Sequence, residues 1–96
     1  LGAESSRPGS QPVSIETEIA RLLPVLEAIC AKNPPAIISI DTWKPAVAEK
    51  CLSTGADWIN DIWGLNADPH LASVVAKHSA AIILMHTAAA KAQLWI

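Results

Sequence analysis

Apolar residues recur at helical spacing through the first third of the chain. From Ser14 onward they stand three or four positions apart: Ile15, Ile19, Leu22, Leu23, Leu26, Ile29 and Cys30. Ser14 is a suitable N-cap, and Glu16 and Glu18 put negative charge into the first turn, where the helix dipole favours it. The pattern predicts a helix from Ser14 to about Lys32, in which Pro24 removes one backbone hydrogen bond.

Short apolar runs and further amphipathic stretches alternate along the rest of the chain. The runs predict strands at 36–40, 57–60 and 80–85. Between the strands, Pro45 suits the start of a helix that Gly55 closes, and Asp68-Pro69 suits the start of another. This order predicts parallel strands joined by helical crossovers, and therefore an α/β fold. The strand spacing fits a (β/α) barrel and a doubly wound sheet equally well.

The two ends of the chain depart from this alternation. Residues 3–12 are rich in Ser, Gly and Pro, which predicts a loop before the first helix. After His86 the pattern fails, and the alanine-rich residues 87–96 fit either a helix or a frayed end. We therefore expect one domain over residues 1–96, with 87–96 as an atypical tail.

The composition excludes several classes of function. The chain is 51 % hydrophobic and 17 % charged, which predicts a packed core rather than disorder. Its net charge is −2 and it has no basic run, so nucleic acid is not an expected partner. The apolar run 80–85 falls far short of the roughly 20 residues that span a bilayer, so no membrane partner is expected and a cytoplasmic location is predicted. Cys30 and Cys51 lie in neither a CxxC pair nor a zinc-binding spacing, and we expect two buried thiols.

Polar residues follow each predicted strand: Asp41-Thr42, Asn60-Asp61 and His86-Thr87. Ligands of parallel α/β folds bind at this carboxyl edge, because side chains leaving the strand ends converge there. A carboxylate beside an amide suits a heterocycle that presents amino and ring N–H donors next to acceptors, as a pteridine does. The alternative is that Asp41 and Asn60 only cap the helices that follow them.

Segments of the chain resemble, in order and spacing, the successive motifs of dihydropteroate synthases. They are Gly-Ala-Glu-Ser-Ser-Arg-Pro-Gly at 2–9, Ile-Ser-Ile-Asp-Thr at 38–42, Gly-Ala-Asp-Trp-Ile-Asn-Asp-Ile at 55–62 and Leu-Met-His at 84–86. The resemblance covers residues 1–86 and implies an internal segment of that family's pterin-binding domain. It implies a partial TIM-type (β/α)8 barrel containing about strands 3 to 5 with the intervening helices. Such a segment is expected to leave two open sheet edges.

The resemblance also implies a set of substrate-binding residues: Ser6, Arg7, Asp41, Asn60, Ile62 and Met85. Asp41 and Asn60 would hold the pterin ring, while Ser6 and Arg7 would contact the diphosphate and p-aminobenzoate. The two apolar members would line the pterin slot, although ordinary core packing is an equal reading for Met85. Ser6, Arg7 and Asp41 are the implied catalytic residues, and no metal ligand is implied within the chain.

The implied reaction belongs to folate biosynthesis. It joins 6-hydroxymethyl-7,8-dihydropterin diphosphate to p-aminobenzoate, giving 7,8-dihydropteroate and pyrophosphate. The resemblance implies assistance by Mg²⁺, with ligands outside this segment, and a homodimer for the full-length family. The family's remaining site residues would lie before Leu1 and after Ile96, so the chain alone is expected to be inactive.

Two alternatives stay open. A pterin-binding methyltransferase domain would use Asp41 and Asn60 for methyltetrahydrofolate and pass the methyl group to a corrinoid partner. A non-catalytic remnant would retain the motifs without activity. The segment Glu4-Ser5-Ser6-Arg7-Pro8-Gly9 favours the synthase, because the related methyltransferases do not share it in this form.

Overall fold

The computed structural model of the chain describes residues 1–3, 13–32, 36–61, 68–88 and 91–95, with the backbone alone for 85–88 and 91–95. In chain order the elements are α1 (Ile15–Ala31), β1 (Ser39–Asp41), α2 (Pro45–Thr54), β2 (Trp58–Asp61), α3 (His70–Lys77), β3 (Ala81–Ala88) and β4 (Lys91–Trp95). The strands form a sheet in the order β1-β2-β3-β4. Strands β1, β2 and β3 are parallel, which confirms the α/β class, and β4 is antiparallel to β3.

Helix α1 begins and ends where the apolar spacing predicts. The Ser14 hydroxyl accepts a hydrogen bond from the Thr17 amide at 3.2 Å, which confirms Ser14 as the N-cap. The helix buries Leu22 and Leu26 and, on the same face, Glu18. Within the described part of the chain, neither this helix nor any other is long and apolar enough to cross a membrane.

Helix α2 starts with Pro45 at its first position and is closed by Gly55. The Gly55 amide donates to the Cys51 carbonyl at 3.1 Å, and its φ of +136° is one that side-chain-bearing residues rarely adopt. A methyl group on Gly55 would also lie 2.8 Å from the Cys30 sulfur of α1. Glycine therefore allows both the turn and the close approach of α1.

We expect Gly55→Ala to destabilise the chain by about 1–3 kcal/mol, because it combines backbone strain with overlap against Cys30. Urea unfolding followed by circular dichroism measures the change. In a Cys30→Ala background the same substitution is expected to cost less, since only the backbone strain remains. Equal stability of Gly55→Ala and the parent chain would contradict this account of the α2 terminus.

The first strand differs from its prediction at both ends. It begins at Ser39 rather than Ala36 and includes Asp41 as its last residue. The Ile38 amide instead donates to the Asp57 carboxylate at 2.9 Å, and Ile37 is 62 % exposed. The predicted strand at 36–40 was therefore wrong for its first part, because the Asp57 side chain satisfies the backbone there.

The other two predicted strands extend further than the sequence indicated. Asp61 lies inside β2, one residue beyond the predicted end at Asn60, and His86 and Thr87 lie inside β3. Residues 84–88 of β3 pair with β4, from Leu84 opposite Trp95 to Ala88 opposite Lys91. The described residues of the tail, 87–88 and 91–95, belong to strands, so both the helix and the frayed end were wrong for them. Pairing satisfies backbone groups of β3 that would otherwise lie along an open edge.

The sheet is open, as expected, with β1 and β4 as its outer strands. Strand β4 covers the end of β3, and Gly2 forms a parallel bridge with Asp41 on the side of β1 away from β2. Chain segments on both sides thus pair with the carboxyl ends of the described parallel strands.

The core lies between the helices and one face of the sheet. Helix α1 packs against α2, and α2 packs against α3. The buried apolar residues are Leu22, Leu26, Ile40, Val47, Ala48, Cys51, Leu52, Ala56, Ile59, Leu71 and Val75. Because successive strand residues point to opposite faces, burial of Ile40 and Ile59 against the helices directs their neighbours Asp41 and Asn60 to the other face.

Candidate functional site

The parallel register of β1 and β2 brings the two predicted ring ligands together. Ile40 lies beside Ile59, and Asp41 lies beside Asn60 one position further along. Ile40 and Ile59 are both 0 % exposed, whereas Asp41 is exposed and Asn60 is partly exposed. The apolar pair thus fixes the strands to the core and leaves the polar pair on the opposite face, at the carboxyl end.

Asp41 and Asn60 are joined by a direct hydrogen bond. The Asn60 Nδ2 group donates to Asp41 Oδ1 at 3.1 Å. Asn60 Oδ1 is buried, and no residue of the described part of the chain donates a hydrogen bond to it. A buried acceptor is normally satisfied, so this oxygen is suited to a ligand that brings an N–H or O–H donor.

Asp61 was predicted with Asn60 as a polar residue at the carboxyl edge, but its side chain does not lie beside those of Asp41 and Asn60. It is 1 % exposed and stands on the face of β2 that carries Ile59. Its side chain is therefore directed towards the helices, and the polar group offered to a ligand by β2 is Asn60.

The remaining predicted site residues are less fully defined. Ser6, Arg7 and Ile62 lie outside the described residues. Met85 belongs to β3, where its backbone pairs with Leu94. The structure thus brings together Asp41 and Asn60, and the roles of the other four residues stay predictions.

A buried ion pair at the turn that follows Asp41 was not predicted from the sequence. Glu18 Oε1 lies 2.7 Å from Lys44 Nζ, with side-chain exposures of 1 % for Glu18 and 8 % for Lys44. Glu18 Oε2 accepts a hydrogen bond from the Thr42 hydroxyl at 2.9 Å. The sequence indicated Glu18 only as an acidic residue in the first turn of the helix. Its spacing of four from Leu22, on the apolar stripe, was the available signal.

A second group of charged residues lies on the helices, away from the sheet edge. Glu49 of α2 accepts hydrogen bonds from Lys77 at 3.1 Å and pairs with His78 at 2.9 Å. The hydrogen bond from Lys77 is the largest cause that holds the pKa of the Glu49 carboxyl below its usual range, and the one from His78 is the next. Glu49 and Lys77 are exposed enough for solvent to screen their attraction, so we assign this group no ligand.

The two cysteines have different environments. Cys51 is buried as predicted, whereas Cys30 is only partly buried, and both are free thiols. Burial raises the pKa of the Cys51 thiol from 9.0 to about 11. The thiolate is the reactive form, so Cys51 is not suited to act as a nucleophile.

We expect iodoacetamide at pH 8 to alkylate Cys51 roughly 100-fold more slowly in the folded chain than in urea, the factor that corresponds to the raised pKa. Cys30, which is partly exposed, is the internal control and should be protected much less. Peptide mass spectrometry measures both rates in one sample. If Cys51 reacted equally fast in folded and unfolded chain, its place in the core would be contradicted.

Comparison with known proteins agrees with the motifs. A sequence model described as "Pterin binding enzyme" matches residues 1–94. The dihydropteroate synthase of Bacillus subtilis is 48 % identical over 86 residues, which are 90 % of this chain and 30 % of that protein. That of Clostridium beijerinckii is 45 % identical over 86 residues, which are 90 % of this chain and 32 % of that protein. The chain thus spans about a third of the length of these relatives.

Solved structures show the same relationship. A dihydropteroate synthase from Clostridium difficile, determined in the presence of pteroic acid, matches with a TM-score of 0.85 and 41 % identity over 92 % of this chain and 33 % of its own. One from Burkholderia cenocepacia, complexed with 7,8-dihydropteroate, matches with a TM-score of 0.78 and 42 % identity over 90 % of this chain and 30 % of its own. Because the family's sequence model matches residues 1–94 of the 96-residue chain, the chain belongs to the pterin binding enzyme family.

Proposed function

We propose that this chain is the segment of a dihydropteroate synthase that supplies Asp41 and Asn60 as ligands of the pterin ring. The observation that carries the proposal is the hydrogen-bonded Asp41–Asn60 pair, in which the buried Asn60 Oδ1 receives no hydrogen bond from any residue that the structure describes. The relatives support it, because they carry this enzyme's name and because pteroic acid and 7,8-dihydropteroate accompany two of the solved structures.

The geometry of the pair fits the hydrogen-bonding edge of a pterin. The pyrimidinone ring of a pterin presents an amino group and a ring N–H, both of which are donors. The Asn60 amide nitrogen is already used by Asp41, so Asn60 offers its oxygen, and Asp41 is a carboxylate that only accepts. Two acceptors side by side therefore face two donors, and the charge on Asp41 strengthens its bond.

The proposed reaction is a displacement at the pterin methylene carbon. The amine nitrogen of p-aminobenzoate forms the new C–N bond, the C–O bond to diphosphate breaks, and pyrophosphate leaves with the bonding electrons. The amine then loses a proton, which the released pyrophosphate anion can take up. The Asp41 carboxylate, placed against the ring, would stabilise the positive charge that develops on the pterin as the leaving group departs. Asp41 and Asn60 would also hold the methylene carbon in position for attack.

The other site residues enter the proposal through the motifs. Ser6 and Arg7 would bind the diphosphate and p-aminobenzoate, since a guanidinium and a hydroxyl make charge-assisted hydrogen bonds to phosphate oxygens. Ile62 and Met85 would flank the ring. A solved structure of a relative from Xanthomonas albilineans is described with 4-aminobenzoic acid, which supports that substrate.

We place the three parallel strands as about strands 3 to 5 of a (β/α)8 barrel, with the Asp41–Asn60 face towards its interior. Support comes from helices that pack along the opposite face and from the likeness to the solved synthases. A homodimer and a cytoplasmic location belong to the same proposal.

Magnesium is implied by the resemblance, with its ligands elsewhere in the protein. Among the residues that the structure describes, no group of three or more His, Cys, Asp or Glu side chains could hold a metal ion. None of the proposed reaction steps depends on Mg²⁺.

The function can be tested by grafting this chain into a relative. The 86 matched residues of the Bacillus subtilis synthase would be replaced by those of this chain. We expect the grafted enzyme to form dihydropteroate from the pterin diphosphate and p-aminobenzoate. The host protein with the segment deleted is the control and should be inactive.

The same grafted enzyme separates the alternatives. It should transfer no methyl group from methyltetrahydrofolate to cobalamin. Methyl transfer without dihydropteroate formation would favour the methyltransferase domain. A folded graft without either activity would favour the non-catalytic remnant and contradict the proposal.

A further inference from the structure

We propose that the buried Glu18–Lys44 ion pair, together with Thr42, holds the carboxyl end of β1 so that Asp41 stays in position to bind the pterin. Glu18 is then a positioning residue, which acts on the ligand through Asp41 rather than by touching it. This role rests on the proposed function, because it is defined by its effect on pterin binding.

The network fixes the turn that follows Asp41 at two points. The Thr42 hydroxyl donates to Glu18 at 2.9 Å and accepts from the Lys44 backbone amide at 3.2 Å. Lys44 Nζ binds the other oxygen of Glu18 at 2.7 Å and also donates to the Val13 carbonyl. Both residues that flank position 43 are thus tied to one carboxylate on α1, and the residue that precedes Thr42 is Asp41.

The Glu18–Lys44 pair is buried, and its contribution to this role is the fixed direction of its contacts rather than its charge alone. Two ions taken out of water lose hydration, and a well-packed apolar pair would often be as stable. A buried ion pair is directional, however, because each oxygen of Glu18 has its own donor. The exposed Lys77–Glu49 pair differs, since solvent can replace either partner at little cost.

The position of the network explains why its effect should be local. Asp41 is exposed, and among the described residues Asn60 donates a hydrogen bond to its side chain. The backbone of Asp41 is held on one side by its pairing with β2 and on the other by Leu1 and Gly2. The chain direction beyond Asp41 is set by Thr42 and Lys44, so loosening them moves the last residue of β1 first.

The test uses the grafted enzyme with Glu18→Gln, Lys44→Met and the double variant. Each single variant leaves one charge of the ion pair buried opposite a neutral side chain, so both should lose thermal stability and pterin affinity. The double variant removes both charges while keeping the side-chain lengths similar. We expect it to recover most of the lost melting temperature while its KM for the pterin diphosphate stays raised about tenfold, as for one lost charged hydrogen bond.

Two measurements separate positioning from a structural role. The KM for p-aminobenzoate should stay within about twofold of the parent, because Asp41 is assigned to the pterin alone. Lys77→Met, which breaks the exposed ion pair, should change neither KM. If the double variant regained pterin KM together with stability, or if Glu18→Gln kept the parent's pterin KM, the positioning role would be overturned.

The outcomes also distinguish this role from the proposed function. A grafted parent without dihydropteroate synthesis would overturn both. An active parent whose pterin KM rises with Asp41→Asn but not with the Glu18 and Lys44 variants would overturn the positioning role alone.

Discussion

Replacing Asp41 by asparagine is expected to weaken binding of 6-hydroxymethylpterin to the grafted enzyme by about 1–3 kcal/mol, the range for a lost charged hydrogen bond. Asparagine has the same shape, but it is neutral and carries an NH₂ group. That group would face either the ring donors or the Asn60 Nδ2 group that now donates to Asp41. Isothermal titration calorimetry measures the loss.

Asp57→Asn is the matched control for this experiment. Asp57 precedes β2 and lies at the opposite end of the parallel strands, where its carboxylate accepts from the Ile38 amide. The same chemical change there should leave pterin affinity unaltered. Equal affinity of parent and Asp41→Asn, or an equal loss in both variants, would contradict the assignment of Asp41.

Ile59→Ala is expected to destabilise the chain by about 2–5 kcal/mol, a large share of the roughly 5–15 kcal/mol that stabilises a small domain. Ile59 is 0 % exposed and lies in β2, which pairs with β1 on one side and β3 on the other. Truncation leaves a cavity at the centre of the core that neighbouring side chains fill only in part. Urea unfolding of the chain, followed by circular dichroism, gives the free energy of unfolding.

Ile37→Ala applies the same substitution at a site that is 62 % exposed. We expect a change within about 0.5 kcal/mol, as for surface positions without special contacts. Equal losses at positions 37 and 59 would show that the side chain of Ile59 is not part of the core.

The helices could be predicted from the sequence because their signals are local. The spacing from Ile15 to Cys30, the Ser14 cap, Pro45 and Gly55 each act within a few residues, and each lies where it was predicted. Strand ends depend on partners elsewhere in the chain. Strand β3 extends to Ala88 because β4 pairs with it, and no local pattern in 87–96 indicates that pairing.

The sequence predicted where the two ring ligands of the candidate site lie, but not how they contact each other. Asp41 and Asn60 were placed at one edge because parallel strands direct their carboxyl ends the same way, and the structure puts them side by side. Their mutual hydrogen bond, which decides that Asn60 presents its oxygen, depends on the register and could not be foreseen. The burial of Glu18 depends in the same way on how α1 packs against the turn after β1.

The central claim is that Asp41 and Asn60 bind one edge of a pterin ring, and a crystal structure of the grafted enzyme with 6-hydroxymethylpterin tests it most directly. The account predicts that the Asp41 carboxylate and Asn60 Oδ1 each lie about 3 Å from a nitrogen donor of the ring. A ring bound away from these two side chains, or one whose carbonyl oxygen faces them, would contradict it.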